Sequence, residues 1–267
     1  MVPDMHTHTP LCHHAQGAPE EYVAAAVRAG LPEIAFTDHA PDPGGYDAEF
    51  RMDLADFPEY QRMITGLKAP PGFSILFGIE ADFHERTAAF LKTWLPQAPF
   101  DIVLGSVHYL GDWGFDNPVN MAQWDKVDVA QTWAHYFRSI TAMADSRLFD
   151  VAAHLDLPKI FRFRPDDRRL KELALPALDR LAAAGMAIEI STAGLRKLVG
   201  EIYPSLPLLG WACERGIPVC FSSDAHKPEQ VGFAFDQAIG LARKAGYREY
   251  VRYRGRKATR HPLPVIP

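Results

Sequence analysis

Cysteine is scarce in this chain. Cys12, Cys213 and Cys220 are the only three in 267 residues, they form no C-x-x-C pair, and their odd number argues against a disulfide framework or a zinc-finger arrangement. A reducing cytoplasm is the expected setting. Basic charge is also short: 28 Lys and Arg face 33 Asp and Glu, a formal net charge of −5, so nucleic acid is not an expected partner. No apolar run approaches the length of a membrane span, and the first thirty residues hold no charged segment followed by an apolar one, so neither a membrane anchor nor a presequence is expected. Local positive charge gathers at the end, where Arg254, Arg256, Lys257 and Arg260 make residues 252–267 read as a solvated basic tail.

What is present is the composition of a globular protein, 48% hydrophobic and 23% charged. The length suits one α/β domain over residues 1–267, and no second domain is required. Strand-like runs alternate with helical patterns. The strands are Val2 to Thr9, Glu33 to Thr37, Phe73 to Ile79, Phe100 to Val107, Leu148 to Ala153, Met186 to Ile190 and Ile217 to Ser222. Helices are expected over Pro19 to Gly30, Leu54 to Leu67, Glu85 to Trp94, Val127 to Ala144, Arg168 to Ala184 and Glu229 to Ala245, with loops from Pro41 to Tyr46 and through Trp124. This alternation implies a parallel sheet, and its repetition implies closure into a seven-stranded (β/α) barrel.

Imidazoles and carboxylates stand where the apolar runs stop: His6 and His8, Asp38 and His39, Glu80, His108, His154, then Asp224 and His226. Side chains alternate along a strand, so His6 and His8 face one way, as do Asp224 and His226. Neutral imidazole mixed with carboxylate suits divalent metals, and a shared carboxylate allows two ions to sit close together. The carboxyl-end face is also where barrel enzymes build their sites. The sixth strand offers Glu189 and then a cationic loop, Ala193 to Lys197.

These motifs, in this order, resemble the PHP family, named for polymerase and histidinol phosphatase: His6-Thr7-His8, His14, Thr37-Asp38-His39, Gly78-Ile79-Glu80, Ser106-Val107-His108, His154 and Ser223-Asp224-Ala225-His226. The resemblance implies a distorted seven-stranded barrel and a trinuclear centre of zinc, iron or manganese ions. On that pattern His6, His8, Glu80 and Asp224 hold one ion, Glu80, His108 and His154 a second, and His14, His39 and His226 a third. Cys12 and His13 read as loop filler, with His13 the substitute for His14 if the third site is shifted by one residue. Asp38, beside His39, is expected to point off the site or to orient a ligand imidazole.

Within the family, the stretches Ser106 to Asp116 and Glu189 to Lys197 look like the branch that hydrolyses histidinol phosphate in histidine biosynthesis. The expected reaction is phosphomonoester hydrolysis by a hydroxide bridging two ions, with Glu80, Asp224, His226 and Arg196 as catalytic residues. The guanidinium of Arg196 matches phosphate, with Lys159, Arg162 and Lys197 as alternatives. Tyr109, Asp112, Trp113 and Asp116 in the long loop are candidates for the ammonium and imidazole of the substrate. An amidohydrolase-type barrel is disfavoured because Glu80 and His108 stand where a bridging lysine is needed. A non-catalytic PHP binding module is disfavoured because no ligand position is lost. Oligomeric state leaves no trace in the sequence.

Overall fold

The computed structural model describes residues 1–45 and 47–265; Tyr46, the last residue of the expected Pro41 to Tyr46 loop, lies outside them. Seven strands form one sheet: β1 (Asp4–Thr7), β2 (Glu33–Phe36), β3 (Ser74–Asp82), β4 (Ile102–Ser106), β5 (Val151–Ala152), β6 (Ala187–Ser191) and β7 (Val219–Ser222). They lie side by side in chain order and every pair is parallel. The ring closes just past β7, where Thr7 bridges Ala225 and His8 N donates to Ala225 O at 2.9 Å. All seven expected strands are present.

Among the described residues the helices are α1 (Pro19–Arg28), α2 (Phe57–Thr65), α3 (Ala88–Trp94), α4 (Val129–Ser146), α5 (Asp167–Ala184), α6 (Leu206–Glu214) and α7 (Phe235–Ala245). The Asp128 carboxylate caps α4 through Gln131 N and Asp166 caps α5 through Arg169 N, each cap contributing about 1 kcal/mol. Helix α6 has no counterpart among the expected helices. Its sequence, Leu-Pro-Leu-Leu-Gly-Trp-Ala-Cys-Glu, is apolar on nearly every side and so carries no helical stripe to read.

Alternation along the strands sorts side chains to two sides of the wall. Ile34, Phe36, Phe77, Ile79, Val103, Ile188, Ile190, Val219 and Phe221 join the core beneath the helices. Met5, Ala35, Leu76, Ile102, Leu104, Val151, Ala153, Ala187 and Cys220 fill the barrel interior. Continuing the inward phase brings Glu80 and Asp82 of β3 and Glu189 of β6 into the barrel above this apolar layer. On β1 the register shifts between Asp4 and Thr7, so a bulge lets Met5 fill the interior while His6 still joins the polar layer.

Of the segment 252–267 expected as a solvated basic tail, residues 266 and 267 lie outside the described residues, and the part carrying the basic charge is instead ordered as a hairpin. Strand β8 (Glu249–Arg254) pairs antiparallel with β9 (Lys257–Pro262), and Val251 and Tyr253 enter the interior cluster. Its arginines meet acids from the amino ends of the strands: Arg252 and Arg254 lie 3.1 Å from Glu33, and Arg256 lies 3.0 Å from Asp150. The hairpin therefore plugs the barrel at the end opposite the strand-end histidines.

Candidate metal centre

Glu80 stands at the middle of the donor set. Its Oε2 lies 3.2 Å from His6 Nε2, 3.0 Å from His39 Nδ1 and 3.7 Å from His8 Nε2, while Oε1 lies 3.1 Å from His154 Nε2 and 3.8 Å from His108 Nε2. Asp224 Oδ1 lies 3.1 Å from His8 Nε2, 3.5 Å from His226 Nδ1 and 3.9 Å from His6 Nε2. Residues spread from position 6 to position 226 thus converge at one end of the barrel.

A second set of carboxylates holds the rings. Glu189 Oε1 is 2.7 Å from His6 Nδ1, Asp38 Oδ1 is 3.3 Å from His8 Nδ1, and Asp82 Oδ1 is 3.6 Å from His108 Nδ1. The first two lie within hydrogen-bond reach, so Nδ1 of His6 and of His8 donates to its carboxylate and Nε2 is turned to the cluster. Asp38 takes the orienting position expected of it. Asp82 shares a strand face with Glu80 and Glu189 is a carboxylate at a strand end, but nothing in the sequence marks either as the partner of a particular histidine.

The arrangement fits divalent cations. With both Nδ1 atoms held by carboxylates, His6 Nε2 and His8 Nε2 face each other at 3.0 Å beside the oxygens of Glu80 and Asp224, two ring nitrogens converging on one point between carboxylates. Donor atoms about 2.1 Å from a shared ion stand roughly 3 to 3.5 Å apart, close to the spacings found here. Glu80 Oε2 and His226 Nε2 are buried without a hydrogen bond of acceptable geometry. One expected trio packs whole as a ligand group, Glu80 with His108 and His154, as do three of the four expected at the first ion, His6 and His8 with Glu80. For the outer trio, ring centroids of His14 lie 4.5 Å from His226 and 5.4 Å from His39. The ligand atoms there fall into His8–His39–His226 and Cys12–His14–His226 groups, with His226 in both. His13 points elsewhere, its Nδ1 2.9 Å from Ala48 O.

The charge distribution is that of a cation site. Burial would push the Glu80 carboxyl up, but His6, His39 and His154 around it hold it well below the usual carboxylate range. Asp224 is likewise held low against burial by His6, His8 and His226. Burial pushes the His39 imidazole down to about 3, a ring readily neutral and free to ligate. His108 goes the other way: burial lowers it, yet Asp82 and Asp116 raise it to about 10. Two donors sit on left-handed backbone, His154 at φ 26 and Asp224 at φ 50. Such conformations cost about 1–3 kcal/mol for a residue with a side chain and concentrate at functional sites.

Above the cluster opens a cavity of about 390 Å³ lined by His14, His39, Glu80, His108, His154, Asp224 and His226, with Tyr109, Asp116, Arg196 and Lys197 also on its wall. Arg196 Nη2 donates to Ser223 O at 2.7 Å and Asp224 O at 3.1 Å, and its Nη1 is buried without a partner. The other candidates lie apart from the lining. Lys159 is buried and spent on Asp156 at 3.1 Å and Ile202 O at 2.8 Å. Arg162 bonds Leu198 O, Asp112 is exposed and pairs with Arg86, and Trp113 packs edge-on against Trp124 with ring centroids 5.0 Å apart. Of the long loop, then, Tyr109 and Asp116 face the cavity while Trp113 and Phe115 pack into the rim. No helix among the described residues is long and apolar enough to cross a membrane.

Fold and donor set together define a β/α barrel built to hold divalent cations. Comparison with known proteins places it further: the PHP domain model matches residues 4–193 and the PHP-associated model residues 209–244. The chain belongs to the PHP family. It is 45% identical over 256 residues, 95% of this chain and 97% of the other, to a protein of Deinococcus radiodurans named probable histidinol-phosphatase. It is 28% identical to the histidinol-phosphatase of Bacillus subtilis, over 87% of this chain and 96% of that one. The crystal structure of the histidinol phosphate phosphatase of Lactococcus lactis, complexed with zinc, L-histidinol and phosphate, has the same fold: TM-score 0.78 at 22% identity, covering 97% of this chain and 98% of that one.

Proposed function

We propose that this chain is a metal-dependent phosphomonoester hydrolase that releases phosphate from L-histidinol phosphate, a step of histidine biosynthesis in the cytoplasm. One observation carries the chemistry: imidazole and carboxylate donors converge on Glu80 at the floor of a cavity whose wall also presents the unpartnered Nη1 of Arg196. The choice of substrate rests on the extended likeness to the Deinococcus radiodurans protein. We assign His6, His8, Glu80 and Asp224 to one ion, Glu80, His108 and His154 to a second, and His14, His39 and His226 to a third, the metals being zinc, iron or manganese. Bound there, the ions supply an activated water and neutralise charge on the phosphoryl oxygens.

The chain's own groups do the rest. Arg196, pinned through Nη2 to the carbonyls of Ser223 and Asp224, turns Nη1 to the phosphate, and a planar guanidinium matches two phosphate oxygens. Because its anchor is the backbone of Asp224, the phosphate position is tied to the donor cluster. Lys197 adds positive charge on the same wall, while Asp116 and Tyr109 offer the carboxylate and ring face that the ammonium and imidazole require. Glu189, Asp38 and Asp82 keep the histidine rings oriented.

The test is phosphate release by the metal-replete protein across histidinol phosphate, nucleoside monophosphates, sugar phosphates and oligonucleotide ends. Histidinol phosphate should exceed the others in kcat/KM by orders of magnitude. Equal turnover of nucleotides or oligonucleotide ends would make this a general phosphoesterase, and a fully loaded protein inert on every ester would make it a binding module.

A further inference from the structure

By sequence position Cys12 is loop filler beside His14; the fold gives it another place. It is fully buried and ends a single 3-10 turn, Pro10–Cys12, capped by Thr9, whose hydroxyl accepts from Leu11 N. His13 then takes a left-handed conformation, φ 67, which sends its own ring outward and folds His14 back over the turn. His14 Nδ1 ends 2.7 Å from Cys12 O. A carbonyl only accepts, so Nδ1 carries the proton and the lone pair is on Nε2. His226 repeats the arrangement: its Nδ1 lies 3.2 Å from Asp224 O, and its Nε2 is buried without a partner. Cys12 Sγ and one ring nitrogen from each of His14 and His226 lie within 4.8 Å of one another, and on its other side the sulfur is grouped in the same way with His8 and Asp38. Two imidazoles with their lone pairs fixed by backbone carbonyls therefore share a space with a buried thiol.

We propose that Cys12 is a metal ligand, completing with His14 and His226 a sulfur–nitrogen position for the outer divalent cation. The inference rests on the metal-dependent reading above and adds a donor to it. On binding, the S–H proton leaves to solvent and the thiolate donates its lone pair to the ion, with no change of oxidation state. A thiolate is softer than the carboxylates around Glu80, so the outer position favours zinc over manganese while the inner donors discriminate less.

Cobalt reconstitution of the metal-stripped protein reads this directly, because a thiolate on Co²⁺ gives an intense near-ultraviolet charge-transfer band that nitrogen and oxygen donors do not. The band should appear in the wild type and in Cys213→Ser and vanish in Cys12→Ser, with a loss of about one ion per chain there. The preference of the outer position for zinc over manganese should fall in Cys12→Ser by at least the roughly tenfold that loss of even an outer-shell partner costs. A cobalt-loaded wild type without the band, or a band that survives Cys12→Ser, overturns the proposal and leaves the metal reading standing. A wild type that retains no cobalt overturns both. Should Cys12→Ser fail to fold, the wild-type spectrum still decides, with Cys213→Ser and Cys220→Ala excluding the other two sulfurs.

Discussion

Glu189 holds two donors at once, so Glu189→Gln is a sharp probe of the centre. Its Oε1 lies 2.7 Å from His6 Nδ1, and its Oε2 accepts from His154 N at 2.8 Å, the backbone of a residue already at φ 26. Glutamine keeps the shape and removes one acceptor together with the charge. Whichever donor the amide oxygen serves, the amide N–H groups meet the other, leaving a buried donor unsatisfied at about 1–3 kcal/mol. His6 also loses the anion that makes its Nε2 basic. An outer carboxylate of this kind is worth about 10- to 100-fold in metal affinity, or about 1.4–2.7 kcal/mol. Chelator-competition titration of stripped wild-type and Glu189→Gln protein should show that weakening. Thermal unfolding of the stripped forms should show a separate loss. Affinity within about twofold of wild type, in a protein that unfolds earlier, would refute the orienting role and leave Glu189 a structural acid.

Glu80→Ala removes the carboxylate common to His6, His39 and His154 and should abolish turnover while lowering bound metal by more than one ion; near-normal turnover defeats the bridging assignment. Arg196→Ala should raise KM and weaken inhibition by inorganic phosphate more than it lowers metal content, and an unchanged KM would remove Arg196 from the phosphate site. Metal and protons compete at His6 and His8. Burial alone would lower both imidazoles, but the carboxylates around them hold both well above the usual histidine value, so binding expels protons and affinity falls as pH falls. Elemental analysis after equilibration between roughly pH 8 and about pH 5 should follow that loss, and full occupancy at the acid end contradicts it. Tyr253→Ala empties a plug position and removes one of the two hydrogen bonds to Asp150 O, for about 3–5 kcal/mol and a Tm lower by roughly ten degrees, with metal affinity unchanged; an unaltered Tm would mean the hairpin does not seal the barrel.

The barrel was legible because each strand is a short apolar run with a polar residue at its carboxyl end, a pattern that depends only on local alternation. What stayed hidden depends on distant partners. Arg252 and Arg254 look solvated until Glu33, more than two hundred residues away, is brought beneath them. Without those acids the inward phase of β8, Val251 and Tyr253 alone, is too short to outweigh the run of basic residues. Lys159 fails in the opposite sense: a lysine near a strand end reads as a free cation, and only the fold reveals Asp156 and Ile202 O consuming it.

The donor cluster marks where alternation reasoning holds and where it stops. His6 and His8 share a face and their rings lie 4.9 Å apart, even though the register of β1 shifts between Asp4 and Thr7, in the stretch that holds His6. Asp224 and His226 also meet, but not by alternation: β7 ends at Ser222, and Asp224 turns through φ 50 before His226 arrives. The same holds for His154, one residue past the short β5 run and its extension at Ala153. A regular strand continuing past β5 or β7 would carry every second side chain away along the barrel axis. A left-handed residue at its end swings the next ones sideways over the mouth instead, at about 1–3 kcal/mol each. That cost is tolerable only where backbone partners over-determine the turn, and here Glu189 grips His154 N while Arg196 grips the Ser223 and Asp224 carbonyls. The groups that hold the strained backbone are therefore those that orient a histidine or line the cavity, which is why weakening either should be felt in ligand binding before it is felt in the barrel.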